Sequence, residues 1–473
     1  MKKRILTLIC AMLLTLSIPL SLFSCSIKET MIGASGAHIN EKGELIITFE
    51  DGSEQNLGIV VGKDGEKGET GAAGKDGQDG KDGKDGKDGK DGEDGKDGVS
   101  TGSGASGGTD VSITIEGNGE NISYAVSKGI RSTVSVEAHH KKTVRSFYGS
   151  YIQEYTSEGS GVIYKLDKAS GDAYIITNHH VVYDVDSNTS THISDNIKIY
   201  IYGSESTDQS IPATYVGGSM NYDIAVLRVE GSEALKADFI TACEMADSDN
   251  ISIGDTSIAI GNPEGIRISA TAGVISVDSE QIKMTIADGT AQTERRVIRI
   301  DTAVNHGNSG GPLFNSLGEV IGIVSAKYED TTVDDIGYAI PSNVARAVAD
   351  NIIDNCNGSS IVTVQRATIG ISIETFGSLA NYDPESGKIT ITESTRISAV
   401  TEGCAAYGIL EAYDVITSAT LKGVTKEITR SHHIIDIALD IRAGDELILT
   451  VLRSGEEITL TVTFDSDDFS SIK

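Results

Sequence analysis

NHGNSGGPLF, residues 305–314, sets one serine, Ser309, between three glycines, with a proline close behind and apolar residues after it. Such a stretch is either an ordinary glycine-rich turn or a shaped loop that presents a nucleophile. Taken alone it leaves both open. A serine hydroxyl is a weak nucleophile until a neighbouring base takes its proton, and that base must itself be oriented by a third group. The decision therefore rests on whether the remaining chain supplies a base, an acid and a scaffold to hold them.

The stretch TNHHVV offers the base. It places His180 where an apolar run ends, and a histidine there projects from a rigid element into a cleft. NYDIAVLRV offers the acid, with Asp223 at the start of an apolar strand. A carboxylate against so apolar a run needs a partner, because burying an unpaired charge is costly. An imidazole N–H is the obvious one. The chain order is His, Asp, Ser, which is the order of the chymotrypsin-type double barrel.

The scaffold is legible too. Strand-like runs recur between turn signals from about residue 120, among them SGVIYKL, AYIITNHHVV, NIKIYIYG, IAVLRV, TSIAIG, ATAGVISV, QIKMTIA, RVIRID and EVIGIVSAKY. Many short strands at this spacing point to an all-β barrel or sandwich. One helix is expected in PSNVARAVADNIIDNC, with Ser342 as its N-cap and an apolar face through Val344, Val348 and Ile352.

TNHHVV, DIAVL, IAIGNPEG, TAGVIS, GNSGGPLFN and GYAIP occur in the order used by the HtrA/Deg serine proteases, and from about residue 125 to 466 the chain resembles that family. The resemblance implies a mainly β protein with two six-stranded β-barrels of chymotrypsin type, a protease domain over 121–358, and peptide-bond hydrolysis. Ser309 would be the nucleophile, His180 the general base and Asp223 its orienting acid, with the backbone N–H groups of Gly307 and Ser309 forming the oxyanion hole. Glycine is expected at 307 because the loop needs a backbone shape that other residues resist. Asn308 stands where digestive trypsin-type enzymes carry an aspartate that pairs with a freshly cut N-terminus. Activation by such a cut is therefore not expected.

Ala303, Val304, Val324 and Ser325 are expected to wall the substrate pocket. Ala303 stands six positions before Ser309, where a trypsin-like enzyme holds an acid. Cleavage after small aliphatic residues follows. These are buried in folded proteins and exposed in unfolded ones, so misfolded chains are the expected substrates. The chain departs from the family at His306, where proline is usual. It departs again at His179, which replaces an asparagine and is expected to face away from the cleft. DVDSNTSTHISD, from Asp184, lacks the glycine a calcium loop needs at its sixth position.

Residues 361–466 resemble an α+β PDZ domain through RATIGI, ISAVTEGCAAYGILEAYDVITSA and LDIRAGDELILTVLRSGEEITLTVTF. That implies capture of C-terminal peptides by strand addition, with the carboxylate held by backbone N–H groups around Ile369, Gly370 and Ile371. Tyr413 stands where glycine is common. His432 and His433 are adjacent, hence poor co-ligands, and are expected on a helix surface.

The N-terminal third is different. Residues 1–24 read as a signal peptide, with a basic MKKR and an apolar stretch; LFSC then resembles the lipobox of bacterial lipoproteins, with Cys25 as the lipidated residue. An ordinary signal peptide and an uncleaved anchor remain alternatives, and all three export the chain. GELIITFEDGSEQNLGIVV, within segment 25–61, reads as a hairpin turning at EDGS. From Gly62 to Gly98 every third residue is glycine. That period suits a collagen-like triple helix, in which only glycine fits the axis, or alternatively a charged extended linker. As a stalk it would reach on the order of 100 Å at roughly 3 Å per residue. Residues 99–120 form a Gly/Ser-rich joint.

The whole chain has 473 residues and a formal net charge of -30, which argues against nucleic-acid binding, since phosphate contacts need clustered Lys and Arg. Cys243, Cys356 and Cys404 are far apart and odd in number, so neither a disulfide framework nor a zinc motif is expected. Nothing in the sequence requires ATP, a metal or an organic cofactor. HtrA proteases are commonly trimers and a collagen helix needs three strands, so a homotrimer on three lipid anchors is the expected assembly. Two other classes stay open: a chaperone that keeps the fold without cutting, and an adhesin whose stalk is the working part.

Overall fold

The computed structural model describes strands within residues 34–59, then residues 122–146, 149–204, 209–265, 267–325, 336–356, 361–384 and 387–472. Cys25, the Gly-x-y repeat and the Gly/Ser joint lie outside the described residues.

The first body is a three-stranded antiparallel sheet of β1 (Ala34–Ile39), β2 (Glu44–Phe49) and β3 (Glu54–Ile59). Strands β2 and β3 are the expected hairpin. The sheet gains β1, whose ASGAHI carries almost none of the β-branched and aromatic residues that mark a strand.

The second body begins with α1 (Ile122–Ile130) and builds two barrels. The first contains β4 (Thr133–Ser146), β5 (Gly149–Asp167), β6 (Asp172–Thr177), β7 (Asn196–Ile201), β8 (Ile211–Ser219) and β9 (Ile224–Val229). They pair in the order β8-β7-β4-β5-β6-β9, and β9 returns to β8 to close the ring. The second contains β10 (Thr256–Gly261), β11 (Ser269–Thr285), β12 (Gln292–Ile300), β13 (Pro312–Phe314), β14 (Val320–Ser325) and β15 (Gly337–Pro341). It closes as β10-β11-β12-β15-β14-β13. Closure removes the unpaired edges that a flat sheet would expose. The runs ATAGVISV and QIKMTIA, which read as two strands, are one strand, β11, bent by register shifts between Ile275 and Glu280.

The expected helix is α3 (Ser342–Asn355), whose Val344, Val348 and Ile352 are buried in the core shared with both barrels. Ser342 does not cap it. Its hydroxyl donates to Ala246 O at 2.6 Å, because the strand before the helix brings it against that loop.

The linker strand β16 (Val362–Ala367) runs parallel to β8 and is flanked by β23 (Phe469–Ile472), so the chain's last strand joins the first barrel's sheet. The C-terminal part is a second sheet of β17 (Ile371–Tyr382), β18 (Ile389–Val400), β19 (Val415–Leu421), β20 (Val424–Glu427), β21 (Glu446–Arg453) and β22 (Glu456–Thr463), with α4 (Ser431–Asp440) packed on it. Tyr413 takes φ 77°, the left-handed region that glycine fills at no cost, and its exposed ring lies near the Arg396 guanidinium, 5.5 Å away. Cys243, Cys356 and Cys404 are free thiols, and burial pushes that of Cys243 up to about 12.

Candidate active site

Strand β6 ends at Thr177, and the chain turns at once into the short helix α2 (His179–Val182). His179 and His180 therefore sit on a helical turn rather than a strand. His179 still faces inward, because its ring packs on Tyr183 and Tyr215, and burial lowers its pKa to about 4. His180 turns to the opposite side and keeps 40% of its side chain exposed.

Asp223 lies in the turn between β8 and β9 at φ 55°, a left-handed conformation that aspartate tolerates better than most residues. Its carbonyl accepts from His179 N at 3.2 Å and from Asn178 Nδ2 at 2.8 Å, which locks the turn against α2. Its carboxylate, 8% exposed, meets His180 Nδ1 at 2.9 Å and accepts from His180 N at 3.1 Å. Burial opposes ionisation of Asp223, yet the imidazole and a neighbouring guanidinium hold the carboxyl well below the usual carboxylate range. Desolvation in the cleft works to lower the pKa of His180. The Asp223 charge and hydrogen bond outweigh it, and the value lies above the ordinary one.

Ser309 sits on the loop before β13. Gly307 takes φ 95° and Gly310 φ 83°. A Cβ on Gly310 would fall 2.3 Å from both Ser160 O and Thr177 Oγ1, so the loop is pressed onto β5 and onto the end of β6. That contact lies three residues before His180, so it sets the Ser309 loop beside the turn that carries the histidine. Ser160 is the clamp that the sequence did not announce. Its N–H donates to Ser309 O at 2.8 Å and its hydroxyl donates to Gly307 O at 2.6 Å. The same hydroxyl accepts from Asn262 N at 2.9 Å, across from the second barrel.

The structure separates the four expected pocket residues. Ala303 is exposed. Val304 and Val324 belong to the apolar core of the second barrel, because β14 is buried along its whole length and Val304 packs inward beside it. Ser325 donates its hydroxyl to Asp223 Oδ2 at 3.2 Å and so supports the acid. His306 is exposed on the loop.

Ile369, Gly370 and Ile371 line a cavity of about 320 Å³ together with Cys404, Ile434 and Ala438. Gly370 takes φ 84°, and a Cβ there would lie 2.1 Å from Cys404 Cβ. Arg366 lines the same cavity, with its Nε buried and without a hydrogen-bond partner.

His432 and His433 are not on a free surface. Both are buried against Asp249, at 3.4 Å and 3.7 Å. Among the described residues these three donors form a cluster within 4.8 Å of one another. A metal does not fit it. Arg296 already holds Asp249 Oδ1 at 2.6 Å and Lys426 holds Oδ2, so two fixed cations occupy the carboxylate a metal would need.

The double barrel with a histidine–aspartate pair beside a glycine-framed serine defines the trypsin-like peptidases. The trypsin-like peptidase domain family matches residues 159–323. Serine protease Do-like HtrA of Lactococcus lactis subsp. cremoris (strain MG1363) is 33% identical over 326 residues, covering 64% of this chain and 74% of its own length. Periplasmic serine endoprotease DegP of Escherichia coli (strain K12) is 31% identical over 283 residues, covering 59% of this chain and 51% of its own. A solved structure, HtrA-type protease AlgW with decapeptide, aligns over 75% of this chain and 99% of its own, with 24% identity and a TM-score of 0.45. The chain belongs to the Do-like HtrA serine proteases and is a serine endopeptidase. No helix among the described residues is long and apolar enough to cross a membrane.

Proposed function

We propose that this endopeptidase works outside the cytoplasm, tethered to a membrane through Cys25, and cuts misfolded or damaged proteins without ATP. The observation that carries the reading is the 2.9 Å contact of His180 Nδ1 with an ionised, buried Asp223 beside the Ser309 loop. Ser309 Oγ attacks the peptide carbonyl. His180 takes its proton and later delivers one to the leaving amine. Asp223 holds the tautomer that leaves the other ring nitrogen facing the serine, and it stabilises the imidazolium. The N–H groups of Gly307 and Ser309 receive the oxyanion. Preference for small aliphatic residues rests on Ala303 in place of an acid, and no longer on Val304 or Val324.

The C-terminal part, 361–466, acts as a PDZ domain. A peptide C-terminus enters the cavity beside Ile369, Gly370 and Ile371, and Arg366 supplies a cation near its carboxylate. Upstream of the protease domain, 121–358, the segments 62–98 and 99–120 serve as collagen-like stalk and joint, and three chains assemble on three anchors.

The test is a fluorophosphonate probe on the full chain, followed by casein digestion. Labelling and digestion that both vanish in Ser309→Ala support the reading. Casein digestion that persists in that variant, or wild-type protein that neither labels nor cuts, ends it.

A further inference from the structure

Arg295, on β12, is 4% exposed at its side chain, which is rare for a guanidinium. Its Nε donates to Asn221 O at 2.9 Å and its Nη2 to Met220 O at 2.9 Å. These are the carbonyls of the turn that carries Asp223. Its Nη1 lies 3.7 Å from Asp223 Oδ2 and donates to Met284 Sδ at 3.4 Å. One side chain from the second barrel thus grips the first barrel's acid-bearing turn and leaves a fixed charge against the acid. Its neighbour Arg296 faces away, into the Asp249 cluster, as alternation along a strand requires.

We propose that Arg295 is a positioning residue of the proteolytic reaction: it clamps the Met220–Asn221 turn and sets a permanent positive charge beside Asp223, which opposes the pull of that carboxylate on the His180 proton. The inference rests on the triad reading given above.

The physical reason is a balance of charges around His180. The groups facing it are Asp223, Arg295 and the buried, uncharged His179. Desolvation disfavours the imidazolium, while the charge and hydrogen bond of Asp223 favour it and win. Arg295 opposes that effect on His180 while also helping to keep Asp223 ionised. It supplies no group to the reacting atoms. Its effect passes through Asp223 and the ring.

The experiment measures the rate of fluorophosphonate labelling of the full chain between pH 5 and 9, for wild type, Arg295→Gln and Arg295→Lys, with melting curves to confirm folding. In Arg295→Gln the charge is gone and a donor remains. The acidic limb is expected to move to higher pH by about one unit, a roughly tenfold loss of rate on that limb, with the alkaline plateau largely kept. Arg295→Lys keeps the charge but cannot span two carbonyls, so its limb stays at the wild-type position while its plateau falls. A parallel loss at every pH in Arg295→Gln, an unmoved limb there, or a shifted limb in Arg295→Lys overturns the proposal. Should Arg295→Gln not fold, the lysine variant alone still decides, since a moved limb with the charge retained cannot come from this cause. Wild-type protein that fails to label at any pH defeats the triad reading instead.

Discussion

Asp249→Asn should loosen the seat of the C-terminal domain on the protease barrels. Asp249 comes from the loop between β9 and β10, its side chain is 5% exposed, and it receives Arg296 at 2.6 Å, Lys426, and Asn343 Nδ2 at 3.0 Å. Burial alone would raise its pKa, but hydrogen bonding from His432 and the charges of Arg296 and Lys426 hold it far below the usual carboxylate range. Removing one member of a buried ion pair costs about 3–5 kcal/mol, because the partner's charge is left uncompensated. Two features put this case at the lower end. Arg296 keeps Asp436 as a second acid, and Lys426, with 31% of its side chain exposed, can turn toward water. About 3 kcal/mol remains. At roughly 2 °C per kcal/mol for a body of this size, the first calorimetric transition should fall by about 6 °C. Fluorophosphonate labelling of Ser309 at low temperature serves as the control and should persist, since Asp249 touches none of the triad. A fall of less than 1 °C would refute the claim that this carboxylate anchors the junction.

Three further outcomes are expected. His433 has its pKa lowered to about 4, first by burial, so the unfolded chain binds its proton before the folded one does. Stability should therefore be lost as pH falls from about 6.5 to 4, by on the order of 3 kcal/mol from this residue, and His433→Gln should flatten that part of the curve of melting temperature against pH. Asp223→Asn should cut the rate of peptide hydrolysis by about 10⁴, because an amide facing Nδ1 favours the wrong tautomer; a fall of less than about 10² would be too small for the assigned role. Gly310→Ala combines φ 83° with contacts of 2.3 Å to two atoms, so labelling of Ser309 should be lost, and unchanged labelling would mean the loop is not held as described.

Each residue of the candidate site sits in a local pattern with its own reason: glycines around Ser309, a strand end before His180, an apolar run after Asp223. What stayed hidden depends on distance in space. Arg295 is one of three arginines in TERRVIRID, and only barrel closure decides that it points to Asp223 while Arg296 points into the Asp249 cluster. Val324 and Ser325 were expected to wall the pocket from their place after the serine loop, which does not tell that Val324 enters the barrel core and Ser325 reaches Asp223. His432 read as a surface residue for the same reason, since Asp249 belongs to a loop far away in the chain. The bend in β11 hid its continuity, as its register shifts break the alternation that marks a strand. Tyr413 carried a true signal, for the backbone there does take the glycine-like conformation.

Ser160 has a mechanical consequence. One residue ties the first barrel to the carbonyls of Gly307 and Ser309 and also to Asn262 of the second. The two cylinders cannot swing apart like the covers of a book while the serine keeps its pose. Opening the seam between the halves would have to break all three bonds and release the backbone of Gly307 and Ser309 from its present pose.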